Sequence, residues 1–227
     1  MATRAIVSYD GTPNDQDALA LARVLAHAGA DLTLAYVRHT TQSEARREEL
    51  EEHEAEALLE RGAHALDGLD IERQVIVSAS TPEGLQWLAE QEDASIVVFG
   101  SDYRTTPGHV SPQHSSARLL DGGPVAIAIA PANYRDQKAL IGTVGVLAAP
   151  GDDAAIATAR ELAEGSGARV TRDEHKVDLL VVGSRPEAPH GRVMISASSE
   201  RAIEESRSPV LVVPQGVTLH FGALAAA

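Results

Sequence analysis

Short runs of uninterrupted apolar residues, each followed by a helical pattern, constrain this chain more than any other feature. Ile96-Val97-Val98-Phe99 and Val125-Ala126-Ile127-Ala128-Ile129 leave no polar face. A strand apolar on both sides must be covered on both sides, which is the condition of a parallel sheet wrapped by helices. Read in order, residues 4–9 form a strand, β1, and Asp10-Gly11-Thr12-Pro13 is a turn in which Thr12 caps a helix that starts at Pro13. That helix, α1, carries Leu19, Leu21, Val24 and Leu25 until Gly29 stops it. Residues 32–37 give β2, 43–66 a Glu- and Arg-rich and mostly solvated α2, 71–77 β3, and 81–90 α3, with Trp87 expected to pack on the sheet. Residues 94–100 give β4, 116–120 α4 and 124–130 β5.

The rest of the chain repeats this pattern. At an offset of 83, Gly100, Ser101, Gly108, Val110, Ser115 and Ser116 fall on Gly183, Ser184, Gly191, Val193, Ser198 and Ser199. At an offset of 137, Pro13, Ala18, Ala22, Arg23 and Leu25 fall on Pro150, Ala155, Ala159, Arg160 and Leu162. The offsets differ by 54 residues, the length of α2, β3 and α3, so the second copy is a shortened one. The expected domains are 1–131 and 141–214, with a polar linker at 132–140 and a tail at 215–227. Residues 168–171 are a doubtful strand, because only 172–176 separate them from the next one.

Composition narrows function by exclusion. With 33 acidic and 19 basic residues the formal charge is −14, which repels phosphate backbones and anionic membranes, so neither nucleic acid nor a membrane is expected as a partner. The chain has no cysteine, which removes thiolate metal sites and thiol nucleophiles, and no histidine spacing suits a metal. No serine stands in a Gly-x-Ser-x-Gly elbow. The amino terminus runs into a strand without a signal-like apolar segment, so a cytoplasmic location is expected.

A parallel α/β unit with a glycine-bearing loop after β4, a short serine-led helix and a Pro-Val-x-x-x strand resembles the universal stress protein family. The resemblance covers most of residues 4–131 and, with the gap, 141–214. It implies two Rossmann-like domains of strand order 3-2-1-4-5, the second lacking α2, β3 and α3. It also implies ATP or AMP binding at the carboxyl ends of the strands, through a Gly-x2-Gly-x9-Gly-Ser/Thr signature. Laid on this chain, the signature meets Gly100, Tyr103, Gln113 and His114, and in the second copy Gly183, Pro186, Ser196 and Ala197. Only the first glycine persists each time. A Cβ obstructs the close backbone approach that phosphate oxygens need.

The family's adenosine-contacting carboxylate matches Asp10, where the second copy has Leu147, and its base-contacting backbone matches Val37. The implied nucleotide site is therefore Asp10, Val37, Gly100, Ser101, His114 and Ser115, in the first domain only. Asp10 is equally well placed to close the turn it belongs to. The expected function is that of a stress-associated regulatory or binding protein with a degenerate nucleotide site, not an enzyme, acting mainly through a protein partner. The alternative is an ATP-binding protein with weak ATPase activity in the same crevice. Family members dimerise through β5, so β5 of the first copy is expected beside Val210-Leu211-Val212-Val213, antiparallel, as a pseudo-dimer within one chain. A homodimer is a further expectation.

Overall fold

The computed structural model describes residues 3–39, 45–137, 140–173 and 176–222, with backbone only for 45–51. A single nine-stranded sheet organises them, in the order β3-β2-β1-β4-β5-β9-β8-β6-β7. The first half contributes β1 (Arg4–Ser8), α1 (Pro13–His27), β2 (Asp31–His39), α2 (Ala45–His64), β3 (Ile71–Ser78), α3 (Thr81–Gln91), β4 (Ile96–Gly100), α4 (His114–Leu120) and β5 (Ala126–Ala130). The second contributes β6 (Thr143–Leu147), α5 (Asp153–Ser166), β7 (Arg169–Thr171), β8 (Leu179–Gly183), α6 (Ala197–Glu205) and β9 (Val210–Val213). Helix α4 starts two residues before its expected first residue, at His114. Ser43, the expected start of α2, lies outside the described residues.

Alternation along the strands sends side chains to two cores. Val7, Val98, Ala128, Leu211 and Val181 face α1, α2 and α5. Ile6, Phe99, Ile127, Val212 and Leu180 face α3, α4 and α6. Within each half all strand pairing is parallel, and the one antiparallel strand pair among the described residues joins β5 to β9, with Ile127, Ala128 and Ile129 opposite Val212, Leu211 and Val210. The apolar edge that β5 would otherwise present to water is thereby paired inside the chain.

Residues 169–171 do form a strand, β7, parallel to β6 through Thr143, Val144 and Gly145. Parallel neighbours ordinarily need a long crossover. Here β7 is three residues long, so the return to β8 covers only about 10 Å at ~3.3 Å per residue. The returning chain lies directly on β6 at Gly145, where an added Cβ would stand 2.8 Å from Val177 Cγ1 and 2.9 Å from the Asp173 carbonyl oxygen. Asp178 then anchors the start of β6, its Oδ2 accepting from Gly142 N at 2.9 Å and Thr143 N at 2.8 Å.

One further expectation is corrected. Trp87 does not pack on the sheet; it is 54% exposed, because Gly84, Leu85, Leu88 and Ala89 form the face of α3 that meets the sheet. The polar segment 132–137 is an ordered turn. The buried Asp17 carboxylate accepts from Asn133 N and Arg135 N and pairs with the Arg135 guanidinium at 3.0 Å. Residues 215–222 pack on the body of the protein. Leu219 and Phe221 are buried in the α1–α5 core, and the His220 carbonyl accepts from Thr3 N and Thr3 Oγ1.

Candidate site at the carboxyl ends of the strands

Parallel strands end together, and their carboxyl ends open a crevice where the connections diverge. In the first half that crevice starts at Asp10, just past β1. The turn Asp10-Gly11-Thr12 is not closed by Asp10. Asp15, in the first turn of α1, closes it: its Oδ2 accepts from Asp10 N at 2.9 Å, Thr12 N at 2.8 Å and Thr12 Oγ1 at 2.9 Å. Burial pushes the Asp15 carboxyl above the usual range while those donors pull it down. Asp10 keeps an open face to water and accepts no hydrogen bond on its carboxylate among the described residues. Desolvation, then the charge of Asp15, push it up to about 6, and His39 at the end of β2 opposes them.

Gly100 proves to be a packing position. A Cβ there would lie 2.1 Å from the Asn14 carbonyl oxygen, so the residue is bare because the first turn of α1 rests on the end of β4. Gly183 is its counterpart, with a Cβ 1.9 Å from Asp152 Oδ2. Ser101, expected to face a phosphate, is only 1% exposed and faces inward. Its Oγ donates to the Ala130 carbonyl at 2.7 Å and accepts from Ser111 N at 3.1 Å. Gly108 N donates to the Ala132 carbonyl, and Ala132 N to that of His109. The loop after β4 is thus clasped onto the exit of β5.

Every one of these bonds recurs in the second half at the same offset. Ser184 Oγ donates to the Val213 carbonyl at 2.7 Å and accepts from Met194 N at 3.2 Å. Gly191 N donates to Gln215 O, and Gln215 N to Arg192 O. Ser101 and Gly108 thus share their roles with Ser184 and Gly191, and these four residues build the clasp in the two halves.

The remaining expected residues are dispersed. Val37 lies within the β2–β3 ladder opposite Ile76, its side chain buried in the core that α3 covers. His114 is the exposed first residue of α4, Ser115 is half-buried, and Ser116 Oγ donates to the Gln113 carbonyl. A cavity of about 500 Å³ at the strand ends lies in the second half, where the sequence leads one to expect no site, and one of about 460 Å³ lies beside Arg38 and His39 at the end of β2 in the first. Leu147, Gly183, Arg185, Pro186, Ser196 and Ser199 line the second-half cavity. Ser196 caps α6, its Oγ accepting from Ser199 N at 3.1 Å. The sequence signal for the capping carboxylates was present, since the offset that aligns Pro13 with Pro150 also aligns Asp15 with Asp152. Among the described residues no group of His, Asp or Glu could hold a metal ion, and no helix is long and apolar enough to cross a membrane.

The model of the universal stress protein family matches residues 1–131 and, overlapping, 108–214. The chain belongs to the universal stress protein family. Its fold is similar to that of a universal stress protein from Archaeoglobus fulgidus DSM 4304, with a TM-score of 0.69 at 16% identity over 94% of this chain and 98% of that one. It is also similar to a functionally unknown protein from Pseudomonas aeruginosa PAO1, with a TM-score of 0.63 at 13% identity over 94% of this chain and 93% of that one. No curated protein matches the sequence. At such identities the likeness shows the fold, and the universal stress protein architecture is what places two strand-end crevices in one chain.

Proposed function

We propose that this universal stress protein is a regulatory binding protein of the cytoplasm, not an enzyme, which acts through a protein partner and holds adenine nucleotide weakly if at all. The observation that carries this is the doubled clasp. In both halves the loop that would embrace a polyphosphate spends Ser101 or Ser184, and Gly108 or Gly191, on the chain leaving β5 or β9. Donors already paired in the folded protein are lost to a ligand unless the clasp breaks. The formal charge of −14 further opposes a triphosphate.

A second possibility, weak AMP or ATP binding, draws on specific features of each half. The first half offers Asp10 at its strand end; the second offers the cavity of about 500 Å³, within the range of small-molecule sites, with Arg185 on its wall and the amino end of α6 beside it. Thermal melts with and without millimolar ATP or AMP decide the matter, because a ligand bound only by the folded form must raise the midpoint. No shift is expected, or a small one. A large shift removed by Asp10→Ala places a nucleotide in the first half, and one removed by Arg185→Ala places it in the second. Turnover of ATP dependent on Asp10 and Mg²⁺ would overturn the non-enzymatic assignment.

A further inference from the structure

On the α4 and α6 side of the sheet, next to the second-half crevice with which it shares Arg185, the two halves enclose a cavity of about 270 Å³ between them. Its apolar lining is Pro112, Ala117 and Leu120 from the first half and Met194, Ile195 and Ile203 from the second, with Leu120 and Ile203 buried. Neither half contains the cavity alone. One wall is fixed by backbone bonds across the halves, Gly122 N to Val193 O at 2.7 Å and Val193 N to Gly123 O at 2.8 Å, with Arg192 Nη1 on Gly122 O at 3.3 Å. The space is therefore preformed.

The rim is charged, and the charge is unbalanced. Asp121, Glu200 and Glu204 border the cavity with Arg185 as the one cation. Arg185 Nη2 points at Met194 Sδ, 3.5 Å away, and no ion pair joins Arg185 to the three carboxylates among the described residues. Glu200 and Glu204 stand one turn apart on α6, a spacing at which like charges repel. Glu204 also lies in the last turn of α6, where the helix dipole disfavours an anion and no base compensates. The carboxylates are too dispersed to hold a metal ion. What complements an apolar floor under such a rim is an organic cation.

We propose that this cavity binds a small amphiphilic ammonium ligand, with one ring or branched alkyl group inside and its ammonium at the rim formed by Asp121, Glu200 and Glu204. A cavity of about 150 Å³ accepts a benzene ring. The volume here leaves room for one ring and a short amine-bearing chain. Because both halves line it, an occupant ties them together, which gives the protein an input at the seam between its halves.

The test is calorimetric titration of the full chain with 2-phenylethylammonium, alongside ethylammonium and phenylacetate. Saturable millimolar binding of 2-phenylethylammonium is expected, weaker at high salt. Glu204→Gln, on the exposed rim, is expected to weaken it about fivefold, the equivalent of about 1 kcal/mol. Ala117→Trp, which fills the entrance from the exposed side of α4, is expected to abolish it, with the unchanged melt of each variant showing that the fold persists. Equal affinity for ethylammonium would show that the apolar floor contributes nothing, and equal affinity for phenylacetate that the rim charge does not select. Either result overturns the proposal, as does the lack of saturation by 2-phenylethylammonium or binding indifferent to both substitutions.

Discussion

Replacing Ser101 by alanine separates two roles that the sequence could not tell apart. In the folded protein the hydroxyl satisfies the Ala130 carbonyl and the Ser111 N–H at a position that is 1% exposed. Ser101→Ala leaves both groups without that partner, the Ala130 carbonyl fully buried and the Ser111 N–H partly so. An unsatisfied buried polar group costs about 1–3 kcal/mol and the partly buried N–H adds about 1, so the expected loss is about 2–4 kcal/mol. For a chain of this size each kcal/mol moves the melting midpoint by about 2–4 °C, which gives a fall of about 5–15 °C. The assay is a thermal melt by circular dichroism without ligand, supported by urea unfolding in which the midpoint falls while the slope holds. Ser184→Ala is the internal replicate, because its hydroxyl makes the same two bonds in the second half. Were Ser101 a phosphate ligand instead, its removal would leave the free protein within about 0.5 kcal/mol of its parent, as surface changes do. A melt unchanged by both substitutions would refute the clasp.

Asp10→Asn tests the strand-end carboxylate. Its folded-state value of about 6 lies above the ordinary 3.8, so the stabilisation it gives is complete below the unfolded value and is lost as pH rises through the folded one. The substitution is expected to raise the melting midpoint near neutral pH, the gain developing between about pH 4 and 6; a difference flat across that window would contradict it. Gly145→Ala is expected to cost about 1–3 kcal/mol by pushing the crossover off β6, read as a lower urea midpoint, and an unchanged midpoint would mean that the crossover does not rest there. Residues 1–137 expressed alone present β5 bare, so light scattering is expected to show dimers or larger species; a monodisperse monomer would show that β9 is not needed to cover that edge.

Much of the fold was legible because it rests on local pattern. Doubly apolar runs marked β4 and β5, Pro13 and Thr12 marked the start of α1, and paired offsets exposed the duplication. Trp87 was misplaced for a reason visible in α3 itself: Gly84, Leu85, Leu88 and Ala89 make a coherent helical stripe, and Trp87 lies off it. Large aromatic size argued for burial, but the spacing argued otherwise and prevailed. The strand at 169–171 was doubted because a crossover of that length is ordinarily too short, and the bare Cα of Gly145 makes it long enough. For the candidate site, Ser101 and Gly100 looked like remnants of a phosphate loop, since a glycine or serine that packs inward reads the same in sequence as one that faces a ligand.

What the sequence determined alone was most of the strands and helices and the repetition of residues at two fixed offsets, because each follows from the periodicity and spacing of neighbouring residues. What only the tertiary structure decided was which hydroxyls turn inward, which residues line the strand-end cavity of the second half, and that a further cavity lies between the halves. Those outcomes depend on residues far apart in the chain, Ser101 with Ala130 and Leu120 with Ile203, and on the antiparallel meeting of β5 and β9 that sets one half against the other. Such distances are set by packing, and packing is a property of the whole chain.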